Sequence, residues 1–185
     1  MYVIADLKPG RAVVIDGDPY LITWSQFSKQ GRQGGVMATK MKNLKTGAVL
    51  QKTFQGSEKL EPADVGYRRV QYLYASGDAY VFMDLEHYDQ FELPSDVLGE
   101  QTDYLVEGQE VDALLFDGHP ISVQLPSTVN LKVVETVPGV KGDTAQGGTK
   151  PAVLESGLTV QVPLFVCEGD IVKVNTETRT YMERV

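Results

Sequence analysis

The amino-acid sequence predicts an all-β protein built from small barrels in succession. Three observations predict it. Apolar runs are short and are punctuated by Gly-, Pro- and Asp-rich turns, as in chains of short strands. No apolar stretch keeps a helical period long enough for a bundle. The charge is partitioned along the 185 residues: net +3 over 1–64, −10 over 65–126 and −1 over 127–185, within a total of −8. Such asymmetry marks separate surfaces with separate tasks.

The first third reads as an SH3-like barrel over residues 1–64. Ala12 to Ile15 is a strand, Asp16-Gly17-Asp18-Pro19 a hairpin turn of the Asp-Gly type, and Tyr20 to Trp24 the return strand. Val36 to Leu44, the turn Lys45-Thr46-Gly47 and the strand Ala48 to Phe54 follow, and Lys59 to Asp64 is read as a boundary. The second third, 65–126, reads as an OB-type barrel. It has strands at Tyr67 to Tyr74, Ala79 to Asp84, Gln109 to Phe116 and Ile121 to Leu125, and a short helix with Ser95 as its N-cap. The last third, 127–185, is a second five-stranded barrel. Its strands are Val129 to Thr136, Ala152 to Glu155, Leu158 to Val162, Ile171 to Thr176 and Thr180 to Arg184, with a long polar loop from Pro138 to Pro151. Asp16-Gly17 and Asp117-Gly118 echo one another as shared hairpin chemistry. Barrels of about 60 residues are individually marginal.

One stretch stands apart. Between Asp18 and Glu58 there is no Asp or Glu, while Lys29, Arg32, Lys40, Lys42, Lys45 and Lys52 all fall there. Its middle, Gly31-Arg32-Gln33-Gly34-Gly35, joins two strand-like runs, so it reads as the tip of a long hairpin finger. Glycine lets a tip turn sharply and its backbone approach a partner. A finger of this kind is a local basic patch, which can meet phosphates even on an acidic chain.

No catalytic constellation is legible. His87 and His119 share no ligand spacing with Cys167 or with paired carboxylates, so no metal site is expected. Cys167 follows Leu164-Phe165-Val166 and reads as a buried structural thiol. The nucleophile elbow Gly-x-Ser-x-Gly is absent. The tip lacks Gly-Lys-Ser/Thr and opens no helix, so it is not a phosphate-binding P-loop. The acidic pairs of the middle third repel phosphates and leave the two outer thirds as candidates for contact with RNA. A single cysteine excludes an intrachain disulfide. No signal peptide and no apolar run of about 20 residues is present. The reading is a cytoplasmic, soluble, monomeric protein without enzymatic activity, cofactor or membrane partner.

Several motifs recur together: Leu7-Lys-Pro-Gly10 with Asp16-Gly17 and Tyr20, the finger Phe27 to Leu44, and Tyr72-Leu-Tyr74 followed by Val81-Phe-Met-Asp84. The last third carries Glu135-Thr-Val-Pro-Gly-Val-Lys-Gly142-Asp143-Thr144, Lys150-Pro151-Ala152 and Val160-Gln-Val-Pro163-Leu-Phe165-Val166. In this order and spacing the whole chain resembles bacterial elongation factor P. The resemblance implies a KOW-like, SH3-like barrel and two OB-fold barrels in an elongated, L-shaped, tRNA-like arrangement. It further implies a partner, the 70S ribosome with its rRNA, bound between the P and E sites beside peptidyl-tRNA, where stalling at consecutive prolines is relieved. The finger tip, Lys29, Gly31, Arg32, Gly34 and Gly35, is then expected at the CCA end of P-site tRNA, with Lys40 and Lys42 on tRNA or rRNA phosphates. Gly142, Asp143 and Thr144 are expected to meet mRNA at the E-site codon and the small subunit. Tyr181 and Arg184 are expected as C-terminal RNA contacts.

The tip departs from the pattern in many relatives. They carry a lysine there that a modifying enzyme extends; here the aligned residue is Arg32, preceded by Gln30-Gly31. Some arginine-tipped relatives are rhamnosylated and others use the bare side chain, and the sequence leaves both open. Two rival readings stand beside this one, an elongation-factor-P-like paralogue and a generic OB-fold RNA-binding module. The generic module expects aromatics interleaved with basics on a barrel face, whereas the tyrosine-rich middle third is acidic.

Overall fold

The computed structural model describes residues 1–29, 35–139 and 148–185. The tip residues 30–34 and the loop residues 140–147 lie outside the described residues.

The first sheet holds β1 (Tyr2–Val3), β2 (Ala12–Ile15), β3 (Asp18–Lys29), β4 (Gly35–Asn43), β5 (Val49–Gln55) and β6 (Lys59–Pro62). Their spatial order is β1-β6-β2-β3-β4-β5. The β2–β3 turn works as its sequence requires: Asp16 and Gly17 both adopt positive φ, 52° and 83°, the pairing that suits the right-handed twist of a tight hairpin. Ile22, Met37, Met41 and Phe54 face inward onto Leu7 and Val13 to form the core. Side chains of this size each contribute roughly 1.5–3 kcal/mol on full burial. The stretch read as a boundary, Lys59 to Pro62, is itself a strand and pairs with both β1 and β2.

The second sheet comprises β7 (Val65–Ser76), β8 (Ala79–Asp84), β9 (Gln90–Pro94), β10 (Glu110–Phe116) and β11 (His119–Gln124), ordered β11-β10-β7-β8-β9. Asp117 and Gly118 repeat the positive-φ hairpin pair at 49° and 78°. Tyr72 and Phe82 pack with ring centroids 5.5 Å apart, and Phe82 stacks on Phe91 at 5.6 Å. The short helix α1 (Ser95–Leu98) is entered through Pro94, whose extended backbone occupies the N-cap position. Ser95 is therefore the first helical residue, not the cap.

The third sheet contains β12 (Thr128–Thr136), β13 (Thr149–Leu154), β14 (Thr159–Pro163), β15 (Ile171–Asn175) and β16 (Thr180–Arg184). Its order is β14-β13-β12-β15-β16, and β14 also meets β16. Alternating valines and leucines of β12 to β15 form its core. Cys167 is exposed, contrary to the sequence expectation. The chain turns after β14, so Val166 is the residue that enters the core, fully buried, while Cys167 gives its backbone N–H to Asp170 at 2.9 Å.

The chain falls into two compact units, residues 1–68 with 113–123, and residues 69–112 with 124–185. Within the second unit the buried Tyr104 joins the core of the third sheet. There Arg179 binds Asp103 at 2.8 Å and Glu100 at 3.5 Å, and Thr176 donates to the Pro126 carbonyl at 2.8 Å. No helix among the described residues is long and apolar enough to cross a membrane.

Candidate nucleic-acid interface

The finger is the paired length of β3 and β4, which runs from Tyr20↔Asn43 to Lys29↔Gly35. Twelve residues at about 3.3 Å each make β3 a strand of roughly 40 Å, far longer than a small barrel needs. Opposite residues share a face, so the register assigns each side chain. Met37, Thr39, Met41 and Asn43 point inward and are buried. Between them Lys40 and Lys42 point outward and are exposed.

A bulge decides what else lies on the outer face. Ile22 pairs with Met41 and Trp24 with Lys40, so Thr23 is the extra residue, and its hydroxyl donates to the Lys40 carbonyl at 3.0 Å. Strict alternation would put Trp24 on the same side as the fully buried Ile22. The bulge turns it outward instead, as such irregularities do. Trp24 is 42% exposed and Lys40 Nζ lies 5.8 Å from its ring centroid. The sequence reading did not single out Trp24. The available signal was the only tryptophan of the chain lying in its acid-free stretch.

Near the tip, Lys29 is exposed opposite Gly35. The ring of Phe27 covers Gly35 so closely that a Cβ there would sit 2.3 Å from Phe27 Cζ. Gly35 thus admits the aromatic ring of its own hairpin. Gly31, Arg32 and Gly34 fall outside the described residues.

The remaining cations divide sharply. Lys45 binds Asp18 at 2.7 Å; this charged hydrogen bond, with a second from Asn43, holds the Asp18 carboxyl below its ordinary value. Lys52, opposite Thr39, is exposed and lies 5.3 Å from the Phe54 ring centroid. Lys40 and Lys42 take part in no ion pair among the described residues.

In the third sheet Tyr181 is half-buried against the core. Arg184 pairs with Asp170 at 3.4 Å and lies 5.2 Å from the Phe165 ring centroid. The Cys167 amide first, then Arg184, depresses the Asp170 carboxyl. Gly142, Asp143 and Thr144 are outside the described residues, but both flanks of their loop are held. The buried Lys150 donates its ammonium to the Val137 carbonyl at 2.7 Å, and Thr136 Oγ1 donates to Pro151 O at 2.9 Å. Gly139 leaves no room for a Cβ, which would meet the Leu164 carbonyl oxygen at 2.6 Å.

His87 contacts Asp84 at 3.4 Å and His119 the Asp117 carbonyl at 2.9 Å, both within turns. Among the described residues no three metal-binding side chains come together.

Three successive β-sheets, the first extended into a hairpin with two outward lysines, define an all-β chain, and comparison with known proteins shows its family. The model of the elongation factor P KOW-like domain matches residues 4–60, that of its OB domain residues 65–123, and that of its C-terminal domain residues 129–184. The chain belongs to the elongation factor P family and is a translation factor, not an enzyme. Among the solved structures similar to it over about two thirds of the chain are two of the initiation factor 5A family. One is translation initiation factor 5A from Methanococcus jannaschii, at 24% identity and TM-score 0.52, covering 66% of this chain and 92% of that one. The other is an initiation factor 5A family protein from Naegleria fowleri, at 19% identity and TM-score 0.54, covering 67% of this chain and 94% of that one.

Proposed function

We propose that this factor binds the ribosome between the P and E sites, beside peptidyl-tRNA, and stimulates peptide bond formation where consecutive prolines stall it. The observation that carries the reading is the finger: a long hairpin with Lys40 and Lys42 outward and in no ion pair among the described residues, on a chain whose family acts in translation. Proline is a poor acceptor because its nitrogen is secondary and its ring rigid. A factor that orders the peptidyl-tRNA end lowers the entropy still to be lost at the transition state.

In this reading Lys29, Gly31, Arg32, Gly34 and Gly35 meet the CCA end, and Lys40 and Lys42 meet tRNA or rRNA phosphates. Arg32, with its planar, permanently charged guanidinium, is the end group. Gly142, Asp143 and Thr144 face the E-site codon, and Tyr181 and Arg184 touch RNA. The work is divided over domains 1–64, 65–126 and 127–185 of a cytoplasmic monomer. Intact mass of the protein from its native host distinguishes a bare Arg32 from a sugar-bearing one.

The test is in vitro translation of a polyproline message with the purified factor. Wild type should relieve the stall. Arg32→Ala and Asp143→Ala should each reduce that relief by about tenfold or more, the scale of losing a charge-assisted hydrogen bond. If both variants match wild type, the site assignments fall. If wild type from its native host leaves the stall in place, the function falls.

A further inference from the structure

We infer that the outer face of the finger carries a stacking platform for an unpaired nucleotide, with Trp24 taking the base and Lys40 and Lys42 the flanking phosphates. The inference rests on the translation-factor reading and sharpens it from phosphate attraction to recognition of a single-stranded segment.

Four observations carry it. The bulge at Thr23 turns Trp24 out of the alternation that would bury it, and the Thr23 hydroxyl fastens the bulge to the Lys40 carbonyl. The indole is 42% open on the half of β3 that has left the core, where Thr23, Gln26, Phe27, Ser28 and Lys29 are exposed as well, so core packing does not hold it and its face is open to a ligand. Trp24 and Lys40 are directly opposite in register, and Lys42 follows on the same face of β4. A base on the indole therefore places its neighbouring phosphates along the lysine row. No acidic residue lies between Asp18 and Glu58, and among the described residues neither lysine is neutralised by a carboxylate, so the face complements a polyanion.

The chemistry selects a single strand. A duplex offers phosphates but keeps its bases stacked internally, whereas a flexible strand offers a free π-face that any aromatic can take. Lys40, now near the indole ring at 5.8 Å, is long and exposed, so its ammonium can swing to a phosphate as a base covers the ring. Phe27, 49% exposed, is not equivalent: it pairs with Met37 on the opposite face from the lysine row, and its ring lies against Gly35.

Trp24 is the only tryptophan, so its emission reports on this site alone. Titrating the full chain with a single-stranded RNA of about eight nucleotides should quench that emission. The same sequence as a duplex, inorganic polyphosphate and poly-glutamate should leave it nearly unchanged. Trp24→Ala should weaken binding of a labelled single strand, read by anisotropy, about 5- to 150-fold, and Trp24→Phe should restore most of it. Circular dichroism and urea unfolding confirm that each variant is folded. Absence of quenching, or unchanged affinity in folded Trp24→Ala, overturns the inference. Equal quenching by duplex or polyphosphate reduces the face to charge alone, and quenching by poly-glutamate alone assigns it to an acidic peptide; both also overturn it. The polyproline assay reads the parent function separately: a factor that fails there yet still shows single-strand quenching keeps the platform and loses the ribosomal role.

Discussion

Two lysines of the finger and four cations in and around the third sheet look alike in sequence and behave oppositely in the fold. On the finger's outer face Lys40 and Lys42 project from β4 with no carboxylate partner among the described residues. In and around the third sheet Arg179 is committed to Asp103 and Glu100, Arg184 to Asp170, Lys173 to Glu183, and Lys150 to a backbone carbonyl. The first set is kept available for an outside anion. The second holds the protein together. A basic residue thus declares its task through its partner, not through its charge.

Removing the buried cation should have the largest effect. Lys150 is 5% exposed and combines a packed hydrocarbon stem with a hydrogen bond to Val137. Lys150→Ala loses both and should lower stability by about 1–3 kcal/mol. Lys150→Met keeps the stem and should recover part of the loss. Lys40→Ala, which removes only an exposed side chain, should stay within about 0.5 kcal/mol of wild type. Urea midpoints measured side by side decide it. A Lys40 variant as destabilised as Lys150→Ala would erase the distinction between available and structural cations.

Much of this contrast was legible beforehand, and the rest was hidden for identifiable reasons. Alternation of Lys40, Met41 and Lys42 suits a lysine row on the solvent face of a strand, since successive strand residues face opposite ways. The Asp-Gly pairs predicted both tight hairpins, because the required positive φ is a local property. What escaped depends on distant partners. Strands β1 and β6 are two and four residues long, too short to show a period, and exist by pairing with each other and with β2. Lys150 reads as a surface residue until the chain brings Val137, thirteen positions away, over its ammonium. Cys167 reads as core because three apolar residues precede it, yet the turn after β14 exposes it. Trp24 changes faces through a single inserted residue that no alternation rule announces.

A second prediction concerns salt. Each cation that neutralises a nucleic-acid phosphate releases counterions, and on single strands contributes about 0.7 to the slope of log affinity against log salt. The double variant Lys40→Ala/Lys42→Ala should therefore flatten that slope for single-stranded RNA by about 1.4. Arg179→Ala should leave it unchanged, because that guanidinium serves Asp103 and Glu100 whether or not RNA is present. The measurement is anisotropy with a labelled oligonucleotide over a range of salt concentrations. Equal flattening in both variants would mean that intramolecular pairing does not withhold a cation from RNA, and the division would have to be redrawn.

The smallest effect belongs to a lysine of the finger region that has a partner. Lys45 binds Asp18 at 2.7 Å with both side chains 39% exposed, and exposed pairs are weak because water and ions screen them. Its signature is a pH dependence. The hydrogen bond from Lys45, and then that from Asn43, holds the folded Asp18 carboxyl below its ordinary 3.8. Folded protein therefore binds fewer protons at Asp18 than unfolded protein does as the solution is acidified. The stabilisation is complete above the unfolded value and is lost as pH falls through the folded one. Urea midpoints of wild type and Asp18→Asn should differ slightly and constantly from pH 7 down to about 5, and the gap should close below the ordinary aspartate range. Raising salt should shrink the gap at neutral pH as well. A gap that survives acid unchanged would assign the contribution to the neutral hydrogen bond with Asn43, leaving Lys45 as free toward an outside anion as Lys40 and Lys42.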